Sequence, residues 1–327
     1  MTKWKEISIN EIKNCRIGHA QDEENATGCT VIICDKKAPC GLDMRGGGPA
    51  SRETQLLDPT ASNDGVHAVL LSGGSAYGLD AAGGVMQYLE SKGIGLKVGS
   101  SLVPIVVGSS IFDLNLVNGK VRPDAKMGYD ACVDSENNEV RNGNVGAGIG
   151  ATVGKMCGEK RMMKSGLGTF AIQVGRVQVG AIVVVNAIGD VYRMDSEIEL
   201  AGLLSKDGHD MISSVDEAIK LLQLKSYFVS NTTIAAIVTN AELDKSKMKK
   251  VAQLASNGIA RTIRPVNTSM DGDTVYALSC GNVTSSSDVV GTLAAHCLAK
   301  AINRAVLETE PKYGLKSAQS FFNGTFS

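Results

Sequence analysis

Aromatic side chains are scarce in this chain: one Trp, seven Tyr and six Phe among 327 residues. An excess of charge of either sign is missing too. Thirty-three Lys and Arg against 34 Asp and Glu leave a formal net charge of −1. That balance gives no electrostatic footprint for nucleic acid or an anionic membrane. No apolar run approaches the ~18 residues that crossing a bilayer requires. The first residues, Met1-Thr2-Lys3-Trp4-Lys5-Glu6, lack the apolar core of a signal peptide. The eight cysteines include no C-x-x-C pair, and most sit in apolar segments as reduced core thiols do. The four histidines are dispersed with no H-x-x-x-H pair, so no zinc site is expected. A cytoplasmic protein without metal or cofactor is expected, with small molecules or peptides as its partners.

Glycine, by contrast, is abundant at 37 residues, which suits an α/β protein with many close backbone approaches. The length is sufficient for a substantial core. Short β-branched runs predict strands at 30–33, 68–71, 170–174, 181–185, 234–238 and 274–278. Helical patterns fall at 78–91, 194–205, 214–223, 245–257 and 287–307. Ser214-Val215-Asp216-Glu217 has the form of a capping box, Asp244 can cap the helix after it, and Pro311 follows the last helix. The basic cluster Lys245 to Lys250 reads as a solvated helix face. Residues 136–168, rich in glycine and polar residues, are the least regular. No repeat and no Ser/Pro-rich linker divides the chain. Interleaved strands and helices predict a layered α/β domain.

Two glycine motifs fail their tests. Gly146-Ala147-Gly148-Ile149-Gly150 with Gly154-Lys155 resembles a phosphate-binding loop, but Ile149 stands where its first glycine belongs and Met156 replaces its Ser/Thr. Leu71-Ser72-Gly73-Gly74-Ser75-Ala76-Tyr77-Gly78 runs from a strand into a helix. It is not a G-x-S-x-G elbow, because Tyr77 takes the last glycine position. Tight strand-to-helix packing explains it as well as an anion site does.

Asn231-Thr232-Thr233, at the start of the apolar run 234–238, is more telling. If the Asn231–Thr232 bond cuts itself, Thr232 carries a hydroxyl nucleophile and a free α-amine as its own base. Alone, the triplet means little. It occurs in order with Arg45-Gly46-Gly47-Gly48-Pro49-Ala50-Ser51-Arg52, Ser72–Asp80, Gly143-Asn144-Val145-Gly146-Ala147-Gly148, Val184-Val185-Asn186-Ala187 and Met270-Asp271-Gly272-Asp273-Thr274. Together these segments resemble the DmpA-type aminopeptidases, the family of L-aminopeptidase/D-Ala-esterase-amidases and β-aminopeptidases, over nearly the whole chain.

The resemblance implies a self-processing N-terminal-nucleophile-type hydrolase with a four-layered α-β-β-α sandwich, of a connectivity distinct from the proteasome-like group. It implies one domain over 1–327, cleaved to 1–231 and 232–327, with the paired fragments forming homo-oligomers. Thr232 matches the nucleophile and Asn231 the residue before the scissile bond. Asn186 matches the oxyanion-stabilising Asn. Asp271 and Asp273 match the acidic segment near the new N-terminus, Asp273 being the stronger candidate. Without the match, Asn186 would read as a strand-end cap and Asp-Gly-Asp as a turn.

The chain also departs from the family pattern. A Glu that holds the substrate's amine is expected two residues before Asn144, and Asn142 stands there. A neutral amide holds an ammonium less strongly than a carboxylate does. Asn142, Asn144 and Tyr77 are candidate substrate-binding residues, and Arg52 is a further pocket candidate. The expected activity is hydrolysis of N-terminal residues from small peptides, amides or esters through an acyl-Thr232 ester. The competing expectation is an uncleaved, non-catalytic member that acts as a binding or scaffold protein.

Overall fold

The computed structural model describes residues 4–222 and 231–323. In chain order, its first strands are β1 (Lys5–Ile7), β2 (Cys15–Asp22), β3 (Thr27–Ala38), β4 (Cys40–Met44), β5 (Ala50–Arg52), β6 (Val66–Ser72) and β7 (Val106–Ser110). Those that follow are β8 (Leu167–Val174), β9 (Val177–Asn186), β10 (Asp190–Tyr192), β11 (Glu199–Ala201), β12 (Thr232–Ala241), β13 (Ile263–Arg264) and β14 (Thr274–Val283). The main helices are α1 (Ala81–Ser91), α2 (Ala125–Asp134), α3 (Ser214–Leu222), α4 (Lys245–Ala255), α5 (Asn257–Ala260) and α6 (Ser287–Leu307).

Two sheets stack face to face. The first has the order β1-β8-β9-β12-β14-β4, and the second β2-β3-β6-β7-β5. Pairing is antiparallel except for β12 with β14 and β6 with β7. Side-chain alternation explains the layers. Ile234, Ala236 and Val238 point into the space between the sheets, where they meet Ile32, Val69, Leu71, Ile182 and Val184. Ala235 and Ile237 point the other way, toward α4 and α6. On the far side, Val31, Ile33, Ala68 and Leu70 pack against α1 and α2. With both faces covered, β12 reads as continuous apolar sequence rather than an alternation. The result is a four-layered α-β-β-α sandwich.

Close approach is built into the helix layers. A Cβ on Gly168 of β8 would lie 2.1 Å from the Ala301 carbonyl oxygen, so α6 rests directly on the sheet backbone there. Asp244 caps α4 by accepting from Lys247 N–H, as expected.

Several expectations are corrected. Residues 194–205 form no helix: β11 pairs with β10, and buried Asp190 captures the Leu203 N–H at 2.9 Å. The cap of α3 is Ser213, whose hydroxyl accepts from Asp216 N–H at 3.1 Å, while the Ser214 hydroxyl donates to Asp190 at 2.6 Å. Helix α2 was not expected. Asp124 caps it, and its Gly128 lets it press against the Ala81 backbone of α1. Lys245 is not part of a solvated face, for its buried ammonium donates to the carbonyls of Leu56, Ala61 and Asn63. No helix among the described residues is long and apolar enough to cross a membrane.

Candidate active site

Strand order brings three separate segments to one end of the first sheet. β9 ends at Asn186 where β12 begins, and the antiparallel register sets Asn186 opposite Thr232. On the other side, Asn231 bridges to Asp271 in the turn before β14. Alternation then points Thr232 and Asn186 into the mouth of the gap between the sheets, on the same face as Ile234 and Val184.

Thr232 is 3% exposed. Its hydroxyl donates to the Asn231 carbonyl oxygen at 2.5 Å, and the Gly272 N–H donates to the same oxygen at 2.8 Å. The carbonyl of the 231–232 peptide bond is thus polarised by two donors. Gly272 lies flat against the threonine. A Cβ there would sit 2.8 Å from Thr232 Oγ1 and 3.1 Å from Pro49 Cα.

Asp273 is buried, and each carboxylate oxygen accepts one backbone N–H: Thr233 at 2.6 Å and Asn267 at 2.9 Å. Burial, reinforced by the neighbouring Asp271, pushes its carboxyl up to about 7. Burial also raises Asp271, against its hydrogen bond from Thr268 N–H at 2.7 Å.

The Asn186 amide is held from both ends. Its Oδ1 accepts from Lys155 Nζ at 2.5 Å and from Thr152 N–H at 3.2 Å, and its Nδ2 donates to the Phe112 carbonyl at 3.1 Å. Two donors on one side fix which end of the amide faces Phe112. Burial drives the Lys155 ammonium down to about 7, with Asp113 and Asp271 pulling the other way. Burial raises Asp113 to about 6, although Gly74 N–H (2.7 Å) and the Thr27 hydroxyl (2.9 Å) both donate to it. Phe112, Asp113, Thr152, Lys155, Glu159 and Met162 line a cleft, and three of them are the partners of Asn186.

Asn231, Thr232, Asn186, Asp271 and Asp273 therefore converge, but the three expected substrate-binding residues do not join them. Asn142 donates to Glu308 at 2.7 Å and accepts from Thr169 at 2.9 Å, and Asn144 donates to the Glu310 carbonyl at 2.9 Å. Their amides tie down the chain after α6. Gly143 between them pairs with Leu167 on the far side of β8. With strands ~4.8 Å apart, that places it about 14 Å from β12. Tyr77 is 60% exposed and stacks its ring under the Arg122 guanidinium, 3.6 Å from carbon to ring centroid. Arg52 contacts the Met86 sulfur at 3.3 Å.

Lys155, Asp113 and Gly272 had no role in the sequence reading. The signal for the first two was present: each is an isolated charge in apolar surroundings, Ile111-Phe112-Asp113-Leu114 and Val153-Gly154-Lys155-Met156. The glycine loop itself faces protein. Gln21 and Thr30 side chains accept the Gly146 and Ala147 N–H groups, and buried Lys164 donates to the Gly148, Ala151 and Ser165 carbonyls. No phosphate cradle remains. Among the described residues no cluster of three or more His, Cys, Asp or Glu is arranged to hold a metal ion.

A buried hydroxyl at a strand mouth, beside an anchored amide and paired carboxylates, is the equipment of a hydrolase. The chain belongs to Peptidase family S58, whose profile matches residues 8–319. Among curated relatives, an uncharacterized aminopeptidase of Mycobacterium leprae is 38% identical, covering 98% of this chain and 95% of the relative. The 6-aminohexanoate-oligomer endohydrolase of Paenarthrobacter ureafaciens is 29% identical, covering 82% of this chain and 73% of the relative. The solved L-aminopeptidase D-Ala-esterase/amidase of Ochrobactrum anthropi superposes with a TM-score of 0.67 at 18% identity, over 92% of this chain and 86% of that one. A Burkholderia sp. β-aminopeptidase gives 0.66 at 17%, over 97% and 92%. These last two establish the shared fold, described for the first as a variant of the N-terminal-nucleophile hydrolase fold.

Proposed function

We propose that this protein is a self-processing aminopeptidase/amidase that cuts its own Asn231–Thr232 bond. It then hydrolyses N-terminal residues of small peptides, amides or esters through an acyl-Thr232 ester. The observation that carries this reading is the Thr232 hydroxyl 2.5 Å from the preceding carbonyl oxygen, on a carbonyl that the Gly272 N–H already polarises. Thr232 Oγ1 attacks the Asn231 carbonyl carbon, and the oxygen gains charge where Gly272 donates. A preorganised donor at that place lowers such a barrier by roughly 3 kcal/mol. Asp273, the buried carboxylate bonded to the next residue's N–H, takes the hydroxyl proton. The C–N bond breaks, the α-amine of Thr232 leaves protonated, and water hydrolyses the ester.

In the mature enzyme the Thr232 amine serves as the base, since an α-amine titrates near ~7.7–8.0. Asn186 has a second amide proton besides the one given to Phe112, and it donates to the oxyanion of the substrate. Asp271, beside Asp273, helps burial to raise the Asp273 carboxyl. N-terminal sequencing and intact mass of the purified protein test the reading: a fragment beginning at Thr232 is expected. An active preparation consisting only of the 327-residue chain overturns it.

Substrate recognition follows from the same geometry. Asn142, bonded to Glu308 and Thr169, offers no carboxylate. The acid we assign to a substrate amine is Asp113, which lines the cleft beside Asn186's partners and exchanges its Thr27 hydroxyl bond for the ammonium. Asp113→Asn is expected to raise KM for free-amine substrates about 10- to 100-fold, the cost of a charge-assisted bond, and to leave N-blocked amides nearly unchanged. Equal effects on both substrate classes would exclude amine recognition by Asp113. Gly272→Ala places its methyl 2.8 Å from Thr232 Oγ1 and slows self-cleavage by about 10- to 100-fold through misalignment. Band densities on a gel followed over time give that rate.

A further inference from the structure

The other end of the sandwich holds a chemistry that the hydrolytic site does not use. Cys15 and Cys34 are directly opposed on β2 and β3 of the second sheet. Cys280, on β14 of the first sheet, faces them in the same buried cluster between the sheets. The sheets converge here because β3 crosses from the second sheet into β4 of the first. The Ser279 N–H donates to the Pro39 carbonyl at 3.0 Å, and the Asn14 side chain donates to the Cys280 carbonyl at 2.7 Å. Cys280 is 8% exposed and Cys15 4%. Cys280 forms part of the wall of a cleft of about 370 Å³ whose rim carries Lys36, Lys37 and Glu242. A thiol in the wall of a cleft, with two further thiols beside it in the interior, is placed for slow oxidation followed by capture.

We propose that Cys280 is a redox site that, on exposure to a peroxide, forms a disulfide with Cys15, or with Cys34 when Cys15 is absent. The thiolate of Cys280 attacks the peroxide, giving a sulfenic acid and hydroxide. The Cys15 thiol then displaces water from that sulfur to form the S–S bond. Overall, two thiols and one hydrogen peroxide give one disulfide and two waters. The facing thiols, together with burial, hold Cys280 protonated above the usual thiol range, so the reaction is slow and quickens as pH rises.

The position has a consequence that rests on the self-cleavage proposed above. Cys15 and Cys34 belong to residues 1–231 and Cys280 to residues 232–327, so the disulfide joins the two fragments covalently. An enzyme whose halves are held together by non-covalent contacts alone, strand pairing and packing, becomes under oxidation a single cross-linked chain.

The test treats the purified enzyme with hydrogen peroxide at pH 7 and pH 9 and alkylates it under non-reducing conditions. Electrophoresis and peptide mass mapping then follow. The expected result is a Cys15–Cys280 peptide pair that forms faster at pH 9. In cleaved protein the two bands merge into one of full-chain mass, which thiol reductant resolves again. Cys280→Ser abolishes the link, and Cys15→Ser redirects it to Cys34. Recovery of Cys280 as free thiol or sulfinic acid, with no linked peptide, overturns the proposal. The mapped peptide reads the disulfide whether or not the 231–232 bond is cut, and a reducing gel reads the cut alone, so the two failures are distinguishable.

Discussion

Thr232→Ala is expected to yield one uncut 327-residue chain and to lower hydrolytic turnover by about 10⁴-fold or more, as removal of a nucleophile does. The effect is this large because one hydroxyl serves both reactions. In the precursor it is the group 2.5 Å from the Asn231 carbonyl oxygen. In the mature enzyme it carries the acyl group, and its own α-amine exists only after the first cut. The substitution removes a hydroxyl and a methyl from a site that β9 and β14 hold by backbone bonds, so the fold persists with a loss of about 1 kcal/mol. Thr232→Ser keeps the hydroxyl and is expected to retain cleavage, more slowly, because the unbranched side chain samples more rotamers. Intact mass, melting temperature and kcat of the three proteins form the measurement. Two fragments from the Ala variant would remove Thr232 from the chemistry.

Thr232, Asn186, Asp271 and Asp273 were legible through the ordered segments that resemble the family, while local pattern alone gave the strand and its mouth. The run 234–238 announces a strand buried on both faces, and Thr232 marks its mouth whatever lies nearby. Asn186 ends an equally apolar run, and antiparallel pairing of the two strands suffices to bring these ends together. Lys155 and Asp113 were legible only as isolated charges in apolar surroundings, because their place in the site comes from contacts 31 and 74 residues away in sequence: Lys155 with Asn186, and Phe112, next to Asp113, with the same side chain. Asn142 was read from the family resemblance, as the residue standing where a Glu is expected, and the fold places that segment at the outer edge of β8, where α6 ends. Residues 194–205 misled because a helical spacing of apolar residues also fits short strands. Tertiary contacts decide between them, here the Asp190 carboxylate and the close packing of Gly202 against it. In each case the failure falls where long-range contacts, rather than period or capping, determine the outcome.

Asp273→Asn is expected to slow self-cleavage by about 10³-fold and to erase its pH dependence near neutrality. Both oxygens of Asp273 accept backbone N–H groups, from Thr233 and Asn267. An amide of the same shape keeps one acceptor and turns its NH₂ toward the other donor. The clash costs roughly 1–3 kcal/mol, the cost of leaving a buried donor unmatched, and shifts the backbone on which Thr232 sits. The substitution also removes the base. In the wild type, burial and Asp271 hold the Asp273 carboxyl near about 7, so cleavage accelerates as pH rises through that value. The Asn variant has no such limb. Stability carries the same signature with a definite sign. A carboxyl raised from 3.8 to about 7 by folding binds its proton more tightly in the folded state. Its contribution favours folding fully below about 4 and is lost as pH climbs through about 7. Asp113, raised to about 6, acts in the same direction. The raw slope of stability against pH is therefore shared, and the difference between wild type and Asp273→Asn isolates one carboxylate. Urea titrations at pH 5 and pH 8 on Thr232→Ala backgrounds, where neither chain is cut, measure that difference. A parallel loss in both proteins would assign the buried proton elsewhere and leave Asp273 a hydrogen-bond acceptor only.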